Sequence, residues 1–278
     1  MGDRARARAR GGARRLVGVL LGLVALVPLV GCTPAGDEAA SARRLPPVDA
    51  VVDYQLGGAY PPAPGIDGVV RDATDVPAPG LWSACYVNAF QTQPQERDTW
   101  LADHPDLVLH GDRGTPVVDP GWPDELLLDT STAARRAAVA ERLDSVLQRC
   151  ADAGFDAVEL DNLDSWTRSG GRLTADDALA LARLVVARAH GLGLAVAQKN
   201  AADLGARGRD EAGFDLVVAE ECVAYDECAA YAAVYGPHVL DVEYVPDDAR
   251  AGADPVAGWA DACADPTGRR PPCCATAR

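Results

Sequence analysis

The run Glu159-Leu160-Asp161-Asn162-Leu163-Asp164 carries three carboxylates in six residues. It extends the segment Phe155 to Val158, which follows Gly154, and reads as a β-strand ending in acid. Period-two alternation puts Val158 and Leu160 on one face and Glu159 and Asp161 on the other. Carboxylates on a strand that also packs a core are costly unless paired or employed. Similar endings recur along the chain. Glu220 shares a face with Leu216 and Val218, while Glu221 points the other way. Asp241 and Glu243 share a face opposite Leu240 and Val242, and Asp53 pairs with Gln55 on the first strand. Gathered at one rim, such groups offer proton transfer and nucleophilic attack. Lys199 stands at another predicted strand end, in Gln198-Lys199-Asn200. It is the only lysine, the other 25 basic residues being Arg. Lys and Arg differ in shape and in ease of deprotonation, so this placement points to orienting or charge-stabilising a carboxylate.

The elements that must position these groups alternate strand and helix. Alternation predicts strands over 51–56, 68–71, 81–87, 107–110, 157–161, 194–198, 216–220 and 239–244. Helical spacing of Val139, Leu143, Val146, Leu147 and Cys150 predicts a helix over 132–153. A second covers 174–190, opening on the cap-like Thr174-Ala175-Asp176-Asp177. Gly154 and Gly191 follow where C-cap glycines belong. Eight strands with interleaved helices predict a (β/α)8 barrel, whose strand C-terminal ends carry the reactive groups. A smaller open α/β sheet is the alternative.

The ends of the chain lie outside that barrel. Residues 4–15 carry six Arg, and an almost wholly apolar run then closes in Leu29-Val30-Gly31-Cys32. This is the pattern of a bacterial lipoprotein leader, residues 1–31, with Cys32 as the lipidated first residue of the mature chain. The apolar run is short for a membrane span. The expected localisation is a lipid-anchored position on the outer side of the cell membrane. Residues 32–47 read as a flexible tether, 48–248 as a monomeric barrel domain and 249–278 as a Cys-rich tail stapled by a disulfide. Loss of the leader removes six of 26 basic and one of 41 acidic residues and takes the net charge from −15 to −20. That argues against nucleic acid as a partner and favours cationic ligands. An exported chain expects disulfides. Cys222 with Cys228 would close a local loop, Cys85 with Cys150 a longer one, and Cys263 has Cys273 or Cys274. Four scattered His and no paired CxxC give no zinc pattern, and no metal or cofactor is expected.

At this point the residues resemble glycoside hydrolase family 114, the endo-α-1,4-polygalactosaminidases. The resemblance is carried by Asp53-Tyr54-Gln55-Leu56, Cys85-Tyr86, Trp122-Pro123-Asp124-Glu125 with Leu128-Asp129, the stretch 154–164, and Gln198-Lys199-Asn200-Ala201. It continues through Phe214-Asp215, Glu220-Glu221-Cys222 with Glu227-Cys228, and Val242-Glu243-Tyr244, and so spans residues 51–245. The stretch Val87 to Arg97 departs from the family's Gly- and Ser-rich pattern. The resemblance implies a (β/α)8 barrel that cleaves an α-1,4-linked galactosamine polymer, a cationic amino-sugar polysaccharide. Such cleavage uses one carboxyl group to protonate the leaving oxygen and a second to attack or to activate water. Asp161 and Glu220, two strand ends apart, are the expected pair, Asp161 as nucleophile or base and Glu220 as acid. Lys199, between them, would hold Asp161 ionised. Asp53, Tyr86, Asp164, Glu221 and Glu243 would line the sugar subsites, with Glu221 alternatively bracing the Cys222 loop. Trp122 and Trp166 offer faces for sugar stacking. Glu159 reads as a structural carboxylate deeper in the barrel.

Two other classes fit the same acidic rim. A non-catalytic lipoprotein would bind the cationic polysaccharide without releasing reducing ends. A metal-dependent hydrolase would need a carboxylate cluster around Mg²⁺ or Ca²⁺ and would lose activity in EDTA.

Overall fold

The computed structural model describes residues 43–244 and the strand Cys274–Ala277. The leader, Cys32, the tether before Arg43 and the pairing of the last three cysteines fall outside the described residues. Eight parallel strands close into a barrel in sequence order. They are β1 (Val52–Gln55), β2 (Gly68–Asp72), β3 (Trp82–Asn88), β4 (Ala157–Asp161), β5 (Ala195–Lys199), β6 (Leu216–Glu220), β7 (Val239–Glu243) and β8 (Cys274–Ala277). The last lies between β7 and β1.

Two expectations are corrected here. Residues 107–110 are not a barrel strand. They begin in the 3₁₀ turn Pro105–Leu107 and continue as isolated antiparallel bridges, Val108 to Leu128 and His110 to Pro116. Leu109 packs with Leu127 and Leu173 in a small cluster of its own, so the apolar alternation there serves a loop. The eighth strand comes instead from the segment that composition had set apart as a tail.

The α-helices among the described residues are α1 (Arg97–Asp103), α2 (Ala133–Ala153), α3 (Ala175–Gly191) and α4 (Cys228–Tyr235). Thr132 caps α2 by accepting from the Arg135 amide, and Gly154 ends it in a left-handed conformation (φ 90°). Thr174 and Asp177 form a reciprocal capping box on α3. The inner faces of both helices, through Leu143, Leu147, Leu181 and Val185, cover Val158, Leu160 and Val196 on the outside of the barrel. Each such fully buried aliphatic side chain contributes roughly 1.5–3 kcal/mol. A disulfide joins Cys85 on β3 to Cys150 in the last turn of α2, and Cys222–Cys228 closes the start of α4.

No helix separates β1 from β2 or β2 from β3. Their outer faces are covered by a polar network instead. Arg71, 5 % exposed, donates to Gln55 Oε1, to the Tyr60 carbonyl and to the Val76 carbonyl. The barrel interior is filled at its lower levels by Val52, Tyr54, Trp82, Ala84, Leu216 and Val218, with small Ala157, Ala195 and Ala197 leaving room for the large rings. Arg43 and Arg44 pair with Asp215 and Asp156, which precede β6 and β4. The chain therefore enters at the strand N-termini, the end opposite the carboxylates.

Candidate active site

On β4, β5 and β6 the inward positions run Ala157-Glu159-Asp161, Ala195-Ala197-Lys199 and Leu216-Val218-Glu220. Below the top, Ala157, Ala195, Ala197, Leu216 and Val218 pack the core, Glu159 on β4 being the one acidic exception, and the top position of each strand is a charged group. The chain then turns sharply. Asn162, Asn200 and Glu221, the first residues past the three strands, all have positive φ (62°, 51° and 56°). Asn tolerates the left-handed region through local hydrogen bonding, and a non-Gly residue there marks a conformation held by its surroundings. Three successive strands thus each deliver one charged side chain to the rim and leave it at once.

Lys199 is the hub. Its ammonium lies 3.1 Å from Asp161 Oδ1, 3.3 Å from Glu159 Oε1 and 3.4 Å from Glu220 Oε2, with only 4 % of its side chain exposed. Burial alone would make Lys199 easier to deprotonate, but Asp161, Glu159 and Glu220 hold it firmly protonated. Asp161 also accepts from the Tyr86 hydroxyl at 2.5 Å. Burial would raise its pKa; Lys199, Tyr86 and the Asn162 amide outweigh that and hold its carboxyl below the ordinary range. Glu159 is fully buried below Asp161 and accepts from Tyr54 Oη at 2.5 Å, while its second oxygen has no hydrogen-bond partner among the described residues. Burial, against the pull of Lys199, pushes Glu159 up to about 7. As pH rises, Asp161 therefore loses its proton well before Glu159 does. Glu220 is fixed on three sides. Asn200 Nδ2 donates to Oε2 at 3.0 Å, Tyr244 Oη donates to Oε1, and the Glu220 amide donates back to Asn200 Oδ1 at 2.8 Å.

A second network flanks Asp161. Glu125 Oε2 accepts from Asn88 Nδ2 at 2.8 Å, and Asn162 Nδ2 lies 3.0 Å from Asn88 Oδ1. Arg168 binds Asp119 at 2.5 Å and Asp164 at 2.9 Å and donates to Asn162 Oδ1.

The structure brings Asp161, Glu220, Lys199 and Tyr86 into one cluster and ties Asp164 to its edge through Arg168. Glu221 sits half-exposed beyond β6, its amide donating to the Val242 carbonyl. Asp53 and Glu243 are elsewhere. Interior Val52 and Tyr54 on β1, and Leu240 and Val242 on β7, turn the alternating acids outward. Asp53 accepts there from Gln55 and Tyr60. Glu243 accepts from the Val223 amide and is 5 % exposed. Trp122 is 66 % exposed on the loop between Asp119 and Glu125, whereas Trp166 packs partly against the core. Sequence reasoning gave no role to Asn88, Glu125, Asn162, Arg168, Asn200 or Tyr244. The signal for Asn162 and Asn200 was their position directly after strands ending in charge.

A family model, glycoside-hydrolase family GH114, matches residues 33–270. Among solved structures, Aspergillus fumigatus Ega3 in complex with galactosamine is similar at a TM-score of 0.65 and 22 % identity, covering 85 % of this chain and 93 % of that one. A variant of the glycoside hydrolase domain of PelA from Pseudomonas aeruginosa is similar at 0.51 and 16 %, covering 72 % and 86 %. At these identities the two establish a shared fold. No curated protein matches.

Proposed function

The chain belongs to glycoside-hydrolase family GH114, and from that premise we propose that it is an endo-acting hydrolase of α-1,4-linked galactosamine polymer, with Asp161 as nucleophile and Glu220 as acid and base. The observation that carries this reading is the single ammonium of Lys199 shared between the two carboxylates, 3.1 Å and 3.4 Å away. Two oxygens on one ammonium can stand no farther apart than those two contacts laid end to end, which favours the roughly 5–5.5 Å carboxyl separation of retaining glycosidases over the roughly 6.5–9.5 Å that makes room for a water.

Asp161 attacks the anomeric carbon while Glu220 gives its proton to the leaving glycosidic oxygen. A covalent glycosyl–Asp161 ester results. Glu220 then takes a proton from water, the water oxygen displaces Asp161, and both carboxyls regain their starting states. Lys199 and Tyr86 keep Asp161 anionic before attack. The Asn200 and Tyr244 contacts fix the direction from which Glu220 delivers its proton. The net charge of −20 after loss of the leader favours a polycationic substrate, and Ega3 was crystallised with galactosamine. Lipidation at Cys32 would tether the enzyme outside the cytoplasm by the end of the chain that enters opposite the rim.

The test is incubation of the mature protein with purified α-1,4-galactosamine polymer and mass analysis of the products. Internal cleavage gives a ladder of oligomers. Bound polymer without new reducing ends would rule the reading out.

A further inference from the structure

Two cations hold five carboxylates of the site by direct ion pairs, and a sixth, Glu125, stands outside both sets. Lys199 serves Glu159, Asp161 and Glu220, and Arg168 serves Asp119 and Asp164. Glu125 is 9 % exposed and, among the described residues, has no cation within ion-pair distance. One oxygen, Oε2, accepts from Asn88 at 2.8 Å and lies 3.5 Å from Asn162 Nδ2. That same Asn162 nitrogen is 3.4 Å from Asp161 Oδ2. One side-chain amide therefore spaces Glu125 from Asp161. The other Glu125 oxygen has no hydrogen bond to a described residue. Burial, together with the like charges of Asp161 and Asp119, raises the pKa of Glu125 against the hydrogen bond from Asn88 and the more distant attraction of Arg168. Among the described residues no cation pairs with this carboxylate directly, and a bound cation would supply that contact.

We infer that Glu125 reads the amino group of the sugar seated on Asp161, and so selects a de-N-acetylated residue on the side of the bond that becomes the new reducing end. The inference rests on the galactosamine reading above. An anomeric carbon in attack range lies roughly 3 Å from the Asp161 oxygen. The nitrogen on the adjacent carbon then comes within reach of a carboxylate spaced from Asp161 by one amide, at the roughly 2.7–2.9 Å of a charge-assisted hydrogen bond. An N-acetyl group at the same place presents a neutral amide and a methyl. It would leave Glu125 buried without a counter-charge, the situation in which a polar site rejects an analogue most strongly.

The experiment compares wild type with Glu125→Gln and Glu125→Asp on partly N-acetylated α-1,4 polymer, sequencing the reducing-end sugar of each product. Gln keeps the carbonyl that Asn88 needs and loses the charge; Asp keeps the charge. Wild type should cut after de-N-acetylated sugars. The Gln variant should lose about 10- to 100-fold of that preference, the worth of one charge-assisted contact, and yield N-acetylated reducing ends. The Asp variant should keep the preference at a lower rate. Wild-type-like product ends from Glu125→Gln would overturn the inference while leaving the substrate reading intact. If wild type cuts neither polymer, the substrate reading falls. Calorimetry with galactosamine monomer then decides Glu125 alone. Binding to wild type that Glu125→Gln loses sustains it, and equal binding, or none to wild type, overturns it.

Discussion

Lys199 donates to Asp161 Oδ1 across 3.1 Å from a position where 4 % of its side chain meets solvent. The contact joins the only lysine of the chain to the carboxylate proposed as nucleophile. Lys199→Met removes the ammonium and leaves three carboxylates facing one another. Breaking such a buried arrangement costs about 3–5 kcal/mol. The Asp161 pKa, held down by Lys199, rises. Two outcomes are expected: a lower melting temperature, and an acidic limb of the pH–rate profile displaced to higher pH. A limb that stays in place would show that Lys199 acts on something other than the charge of Asp161. Lys199→Arg keeps the charge, yet its planar fork cannot reproduce three divergent contacts in a buried pocket, and its turnover should also fall sharply.

Asp161→Asn and Glu220→Gln separate the two carboxyl roles. The Asn variant should lose turnover by about 10⁴-fold or more on every substrate, the scale seen when a catalytic group is deleted, while the protein stays folded. The Gln variant loses proton donation, so its defect should be largest on the polymer and much smaller on an aryl α-galactosaminide whose leaving group needs no proton. Equal defects on both substrates would reassign Glu220.

How far the sequence revealed this site is clearest from β1 and β4. On β4, alternation put Asp161 on the inward face, where the structure also has it, because its outward partners, Val158 and Leu160, are apolar and lie under a helix-packed face. On β1 the same rule misled. No helix covers the outer face of β1 and β2, so Asp53 and Gln55 face a polar network with Arg71 there, and the phenolic Tyr54 takes the interior. Polarity alone cannot tell the inside from the outside of a barrel whose ring of helices is incomplete. The eighth strand was hidden for a related reason: Cys274–Ala277 is four residues long, follows a Pro- and Asp-rich stretch, and carries no apolar alternation of its own.

Two buried carboxyls set a pH dependence of stability. Burial raises Glu159 from 4.5 to about 7, and burial with the neighbouring Glu243 raises Asp241 from 3.8 to about 8. Each binds its proton more tightly folded than unfolded, so its stabilising effect is complete at pH below the unfolded value and declines as pH rises toward the folded one. Urea midpoints should therefore fall between about pH 4 and pH 8. Glu159→Gln and Asp241→Asn, neutral at every pH, should each flatten that slope. A slope unchanged in both variants would place the loss on other groups.

Gly208, outside the cluster of charged groups, bears on the aim of Glu220 through Gln198 and Asn200. A Cβ at Gly208 would fall well inside contact distance of Gln198 Oε1 and 2.9 Å from Tyr235 Oη. Tyr235 donates to Gln198, and the Gln198 amide in turn holds the Asn200 carbonyl at 2.7 Å. Asn200 is the left-handed residue whose side chain grips Glu220 twice, Nδ2 donating to the Glu220 carboxylate and Oδ1 accepting from the Glu220 amide. Gly208→Ala should therefore move Gln198, loosen the Asn200 turn and misdirect Glu220. The expected result is a loss in kcat on the polymer of about 10-fold or more, the order attached to small misplacements of reacting groups, with KM little changed. The same variant should lose far less on the aryl substrate, because only proton delivery is disturbed. An equal loss on both would trace the defect to general destabilisation.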